Sequence, residues 1–595
     1  MSGLPWESEV KKLAWGYALL NATEHGGKAA VGPVMGKIMA ERSDLRPHAK
    51  AIAAIVRSIV NEVNKLTLEE QRRLLEEEYS WVLEHARRKR VEEKRLPPLP
   101  GAVEGRVVTR FAPNPDFVIH LGNARPALLS YEYKRIYKGK MILRFEDTDP
   151  RTKAPLPEAY ELIREDLRWL GIEWDEEYVQ SLRLQVYYDV ARSLLEKGGA
   201  YIDTEPAQRF KEYRDNNMLE KYPPRSRSVE DNLEEWDRML EGWYGEGEAV
   251  LRVKTDPRHR DPSVRDWVGF RIIDTGRHPH PIVGDKYTVW PTYNFAAAVD
   301  DHLMGVTHIL RAREHQQNTV KQSFLYSHMG WEYPHVIHFG RLKLEGFIMS
   351  KSTLKNIMES GVGRGIDDPR FATLAGLRRR GIVAEAIRKI IVEDVGVKYT
   401  DASISFTNLA AVNRVIVDPA AKRLMAVFEP LTLQVKDVPW QENRLRIPFH
   451  PSGRLGEREV VLKASRGRLT LLLDRADKEL LKEGRIVRLM EAFNIRIEKT
   501  KEDTIEAIYH SESLEEARRN KAPIIQWVSP SNALPIQLVK PEGLTLRIMH
   551  GFIEEAAAKL GVGDIVQLVR VGFARVDSIV EGSPKATIVA VYAHS

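Results

Sequence analysis

The 595-residue chain contains no cysteine. That excludes disulfides, thiolate nucleophiles and every zinc site built on thiolate ligands. Long apolar runs are also missing. No stretch approaches the roughly 18 uncharged apolar residues that a membrane-spanning helix needs. The N-terminus, MSGLPWESEVKKLAW, has no basic region followed by an apolar run, so no secretory signal is expected. Neither sign of charge dominates: Lys+Arg is 90 and Asp+Glu is 84, a net charge of +6. That balance permits a polyanionic partner without demanding one. Internal repeats and low-complexity segments are absent as well. A cytoplasmic protein fits these absences, and the lack of cysteine beside many Arg and Glu fits a thermophile equally. What is present, 43% hydrophobic and 29% charged residues, suffices for packed cores and excludes global disorder. At about 150 residues per domain, the length predicts roughly four domains.

The pattern of apolar residues changes along the chain. Residues 1–98 read as helices, with apolar positions at helical spacing in VKKLAWGYALLNA and AKAIAAIVRSIVNEVNKL. Thr67 followed by Glu70 predicts a capped helix start. The run Arg87-Arg88-Lys89-Arg90 is either a solvated helix face or a surface that contacts phosphate. LPPLPG, residues 96–101, breaks the helical pattern. Strand–helix–strand–helix alternation follows, from RVVTRFA through KMILRFE, and predicts a parallel α/β sheet. Residues 200–286 interrupt it as a polar insertion, and 287–345 resume it. Residues 346–415 turn helical. From residue 416 the period becomes two, in stretches such as LTLQVKDV and ATIVAVYA, which predicts one or two small β-barrels over 416–595.

Two short segments carry candidate chemistry. In RFAPNPDFVIHLGNAR, residues 110–125, a strand gives way through a proline-shaped loop to a helix starting near His120. Backbone amides at such a start attract phosphate. His120 stands ready to donate to a phosphoryl oxygen, and Gly122 leaves room beside the backbone. An ordinary strand–helix turn with a chance histidine would read the same. In FIMSKS, residues 347–352, Lys351 lies between serines, suited to placing a cation on a polyphosphate or simply to solvation.

Together and in this order, HLGN and IMSKS resemble the HIGH and KMSKS signatures of class I aminoacyl-tRNA synthetases. The segments LRFEDTDPR, VWPTYNFAAAVDDHL, HILRAREH and HFGRLKLEG resemble the glutamyl branch in its archaeal-type form. The resemblance spans the whole chain and is densest from residue 106 to 380. It implies a Rossmann-type catalytic domain in two halves, 99–199 and 287–345, split by an insertion that holds the tRNA acceptor end. It implies an N-terminal helical domain over 1–98, a helical stem-contact domain over 346–415 and anticodon-binding barrels. It also implies ATP-dependent activation of glutamate and its transfer to tRNA(Glu), with tRNA(Gln) a further candidate acceptor. Mg²⁺ would accompany ATP, and no zinc is expected. The family expectation is a monomer, with a tRNA-dependent amidotransferase as a candidate partner.

Residue by residue, the resemblance makes His120 and Lys351 catalytic, stabilising the α-phosphate and the departing pyrophosphate. Pro113, Asn114, Gly122, Asn123, Met349 and Ser350 would line the ATP site, with Arg341 and Leu342 contacting adenine through the main chain. Arg110, Glu146, Tyr293 and Arg311 would hold glutamate. Arg110 would take a carboxylate, Glu146 the α-amino group, and Arg311 the side-chain carboxylate, which a bidentate guanidinium selects over a neutral amide. The alternatives are an ion pair between Arg110 and Glu146, a core Tyr293 and a surface Arg311. In the insertion, Arg225, Arg227, Trp236 and Trp243 are candidates to grip phosphate or stack a base, or else form an ordinary folded surface. The stretch Arg378-Arg379-Arg380 would face the tRNA.

The chain departs from the family pattern at Asn123, at Asp116-Phe117 in place of a small Ser-Gly pair, at Ile348 in place of lysine, and at Asn294 in place of aspartate. Rival readings are a glutaminyl-tRNA synthetase, a non-catalytic RNA-binding descendant, and a truncated relative that glutamylates a modified base. Arg311 weighs against the first, the intact His120, Glu146, Arg311 and Lys351 against the second, and the strands after residue 416 against the third.

Overall fold

A computed structural model describes residues 6–83, 96–349, 351–361, 365–582 and 585–595, with the backbone alone at Ser43, Lys351, Ser352, Lys355 and Met358. It divides into two compact units, the first ending at Leu96 and the second starting at Pro97.

The first unit is helical. Helices Glu7–Glu24, Val31–Glu41, Ala49–Val63 and Leu68–Glu77 enclose a core that includes Val10, Leu13, Val34, Ile38, Ile52, Val56 and Val63. Ile52, Val56, Ile59 and Val63 recur every three or four residues, which puts them on one face of their helix. Thr67 caps the last of these helices: its Oγ1 accepts from the Glu70 amide, and its own amide donates to Glu70 Oε2 at 2.8 Å. The basic run at 87–90 lies outside the described residues.

The second unit opens with a parallel sheet. Strands Val108–Phe111, Lys140–Phe145 and Glu176–Val179 pair in that order. Helices Leu121–Ile136 and Ala159–Trp169 make the crossovers. A second parallel pair, His308–Ala312 and His335–Phe339, belongs to the resumed alternation. Thr307 joins the two halves, its amide donating to the Val108 carbonyl at 3.0 Å. These strands are buried almost throughout, including Arg110, Arg144 and Arg311.

The insertion supplies three strands, Ala200–Asp203, Val250–Val253 and Val268–Ile272, to a four-stranded antiparallel sheet completed by Val289–Pro291 just beyond it. Trp236, Phe270 and Trp290 fill its core. Helices Leu374–Arg379, Ala384–Lys389 and Phe406–Val417 follow the signature segment. Beyond residue 421, two seven-stranded sheets form the β-barrel region. In Leu431–Lys436, Leu431, Leu433 and Val435 are buried while Thr432, Gln434 and Lys436 are not, so period two becomes one inward face.

Candidate active site

A cleft of about 900 Å³ opens over the parallel strands of the second unit. Arg110, Pro113 and Asn114 line it from the end of the first strand, and His120, Gly122 and Asn123 from the following helix start. Glu146 lines it from just past strand Lys140–Phe145, Tyr293 from the start of helix Tyr293–Leu303 and Arg311 from strand His308–Ala312, and Arg341, Leu342 and Met349 close one side. Ser350 lies outside the described residues, as does the side chain of Lys351, whose backbone begins helix Lys351–Glu359.

His120 is the N-cap of helix Leu121–Ile136. Its Nδ1 accepts from the Gly122 amide at 3.0 Å. Burial pushes its pKa down to about 4, so the ring is neutral near pH 7. With Nδ1 accepting, the proton belongs on Nε2, which makes His120 a hydrogen-bond donor without charge. Backbone bonds fix this segment: Leu121 N donates to Ala372 O, and Leu374 N to Ile119 O, each at 2.9 Å. At Gly122 a Cβ would lie 2.9 Å from His120 Cε1 and 3.3 Å from Met349 Cε. The glycine therefore lets the two signature segments touch.

Arg110 and Glu146 do not pair with each other. Arg110 Nε donates to Asp301 Oδ1 at 3.2 Å. Arg144 donates to Asp301 Oδ1 at 2.8 Å and to Glu146 Oε1 at 2.9 Å. All four side chains are nearly or wholly removed from solvent. Burial pushes Asp301 up, but Arg110 and Arg144 outweigh it and hold the carboxyl below its ordinary value. For Glu146 burial wins over Arg144 and Arg110, and its pKa is raised. An ammonium arriving beside Glu146 would favour its anionic form. Burial and Glu146 keep Tyr293 a neutral phenol. Sequence reasoning missed Arg144 and Asp301. Two adjacent acids in the otherwise apolar AAAVDDHL were the available signal, because buried carboxylates need cations.

Arg311 is 5% exposed. Its guanidinium donates to Gln322 Oε1 at 3.1 Å, Thr319 Oγ1 at 2.6 Å and Tyr333 Oη at 3.1 Å. These acceptors are all neutral, and Nε is buried without a partner. His315 and His338 are also neutral: burial, with Arg311 adding to it, pushes both down to about 4. A cation on the cleft wall whose hydrogen-bond partners are all neutral, with Asp301 acting on it through space, suits an anionic ligand.

Arg341 engages its amide with Asp401 Oδ1 at 2.7 Å, and its carbonyl accepts from Ala402 N at 2.8 Å. Both main-chain groups of Arg341 are therefore already engaged within the fold. Lys153, Asp149 and Arg271 also line the cleft, the last two paired at 2.8 Å.

Several residues expected to face RNA have structural work instead. Trp236 is fully buried against Phe270. Arg225 donates to Asp266 Oδ2 at 2.8 Å, and Arg227 to the Ile202 carbonyl at 3.1 Å. Arg379 donates twice to Asp577, and buried Arg380 reaches the Ala593 carbonyl. Trp243 remains 69% exposed, with Arg238 over its ring. Among the described residues no cluster of His, Asp or Glu is arranged to hold a metal ion, and no helix is long and apolar enough to cross a membrane.

Comparison with known proteins agrees with this geometry. Residues 106–419 match the catalytic domain of class I tRNA synthetases (E and Q). Residues 421–512 and 524–577 match two anticodon-binding domains of the same group. A glutamate–tRNA ligase of Hyperthermus butylicus is 67% identical, over 97% of this chain and 100% of its own. Those of Aeropyrum pernix and Staphylothermus marinus are each 51% identical, over 96% and 94% of this chain and 98% of theirs. The chain belongs to the archaeal-type glutamate–tRNA ligases, within the class I aminoacyl-tRNA synthetases.

Proposed function

We propose that the cleft joins glutamate to the α-phosphate of ATP and passes the glutamyl group to the terminal adenosine of tRNA(Glu). The observation that carries this reading is Arg311, a buried cation on the cleft wall with neutral partners only. It suits the side-chain carboxylate of glutamate and would be underpaired by the amide of glutamine. Glu146 suits the α-amino group. Arg110, held by Asp301 on the cleft wall, suits a carboxylate of the substrate.

In the first step a carboxylate oxygen of glutamate attacks the α-phosphorus, and the bond to pyrophosphate breaks. His120 Nε2–H and the amides at the start of helix Leu121–Ile136 suit the negative charge that builds on the phosphoryl oxygens. The absence of a Cβ at Gly122 lets the His120 ring and Met349 pack against this helix start. Lys351 is assigned the departing pyrophosphate, and Mg²⁺ bound with the nucleotide would supply further charge neutralisation. In the second step the 2′ hydroxyl of the tRNA terminus attacks the glutamyl carbonyl and AMP leaves. The protein contributes placement and charge rather than a covalent intermediate.

The domains over 421–577 support binding of the tRNA anticodon region. The assignment extends to tRNA(Gln) as a second acceptor, whose mischarged product a tRNA-dependent amidotransferase would consume, in the cytoplasm. Replacing Arg311 tests the site. In glutamate-dependent pyrophosphate exchange with tRNA present, Arg311→Ala should weaken glutamate binding by about 2–5 kcal/mol, a rise in KM of roughly thirtyfold or more. An unchanged glutamate KM would remove Arg311 from the pocket.

A further inference from the structure

Beside the cleft lies a small apolar cluster, distinct from the main core of the α/β sheet. Phe117, Val118, Leu354 and Phe371 are buried in it, and Ile348 and Ile357 pack against them. Besides Leu162 of helix Ala159–Trp169, three chain segments meet there: the loop ahead of His120, the signature segment with its helix Lys351–Glu359, and the approach to helix Leu374–Arg379. Two of the three are already stitched together by the backbone bonds from Leu121 to Ala372 and from Leu374 to Ile119. They make a fixed floor. The signature segment reaches that floor through Ile348 on one side of residues 349–353 and Leu354 on the other.

Phe117 and Ile348 are also two of the positions at which the sequence departs from the signature pattern. A ring stands where a small residue is usual, and an aliphatic side chain stands where a lysine is usual. Each departure alone is awkward. A large ring in the ATP loop would be exposed without apolar partners, and an apolar residue at 348 removes a cation. In the folded chain they share one cluster, which removes Phe117 almost entirely from water. In place of the lysine, Ile348 adds an apolar contact to this cluster.

We propose that Phe117 and Ile348 are positioning residues for nucleotide activation, clasping the signature helix to the His120 loop. The inference rests on the reading of the cleft as an ATP site. Buried Phe117 and half-buried Ile348, sharing one cluster, hold the helix start against the loop ahead of His120, so less ordering remains for ATP binding to impose. The glutamate pocket, built on Arg110, Glu146, Tyr293 and Arg311, does not depend on this cluster.

The test is pyrophosphate exchange by the full chain with glutamate and tRNA(Glu) present. The variants are Phe117→Ala, Ile348→Ala, their combination, and the conservative Phe117→Leu and Ile348→Val. Each alanine variant should lose about tenfold to a hundredfold in kcat/KM for ATP. Glutamate KM should stay within about twofold. The combined variant should lose far less than the product of the two single losses, because both remove one clasp. The conservative variants should recover most of the activity. Three results would overturn the proposal. One is ATP kinetics unchanged in the alanine variants. Another is losses that multiply in the combined variant. The third is ATP and glutamate KM rising together in step with a falling unfolding temperature, which marks a cluster that only supports the fold. No exchange by the unmodified chain would instead overturn the reading of the cleft, before any variant is compared.

Discussion

At the scale of single residues, the site works by holding some groups charged and others neutral. Arg144 is pulled down by burial, yet Asp301, Glu146 and Asp300 outweigh that and hold it firmly cationic. His120, His315 and His338 go the other way, each pushed down to about 4 from an ordinary 6.5. This has a consequence for stability. Between about pH 6.5 and pH 4 the unfolded chain binds protons that these folded histidines refuse, so stability rises with pH across that window. Their contribution is fully present above about pH 6.5 and is lost as the pH falls toward 4. Unfolding temperatures measured at pH 7 and pH 4.5 should show it. His120→Asn keeps an acceptor for the Gly122 amide but cannot titrate, so its unfolding temperature should fall less on acidification than that of the unmodified chain. Parallel falls would mean that His120 is protonated in the fold.

The legibility of these residues varied for physical reasons. His120 and Gly122 act through their own loop and helix start, so a local motif displays them. Arg225, Arg379 and Trp236 looked like candidates for RNA because they are basic or aromatic. Their partners, Asp266, Asp577 and Phe270, lie far away in sequence. Only the fold shows that these charges are already answered and that the ring is already buried.

At the scale of elements, the helix Leu121–Ile136 shows how a local rule yields to a site. Glycine inside a helix costs about 1 kcal/mol relative to alanine, yet Gly122 sits in its first turn. The close approach of His120 and Met349 explains it. Gly122→Ala should therefore lower the pyrophosphate-exchange rate by about tenfold to a hundredfold, while helix propensity keeps the unfolding temperature from falling in proportion. An exchange rate equal to that of the unmodified chain would show that the side chains yield to the added methyl group. The elements themselves were readable wherever a period was strong. Thr67 and Glu70 announce their capping box, and Leu431, Leu433 and Val435 announce one face of a barrel strand. Which strands neighbour one another was not readable. One barrel sheet pairs Thr432 with Thr504 and the other pairs Lys422 with Val566, and no local pattern encodes such distant partners.

At the scale of the whole molecule, the second unit is joined by charge as well as by apolar packing. Asp301, from the later half of the α/β sheet, binds Arg110 and Arg144 from the earlier half, across the insertion that separates them in sequence. The β-barrel region is tied to the helices behind the cleft by Arg379 to Asp577, Arg370 to the Leu544 carbonyl, and Asn413 to His594. The helices of residues 6–83 carry their own core. A chain so organised can hold one end of a long ligand at the cleft and another at the barrels. That is the geometry a tRNA ligase requires.

The most direct measurement charges separate tRNA(Glu) and tRNA(Gln) transcripts with the full chain, supplying radiolabelled glutamate in one series and radiolabelled glutamine in the other. Glutamate should attach to tRNA(Glu), and glutamine should fail on both transcripts because Arg311 then lacks its anion. Glutamine attached in preference to glutamate would contradict the account at its centre, since the buried guanidinium would then not select a carboxylate.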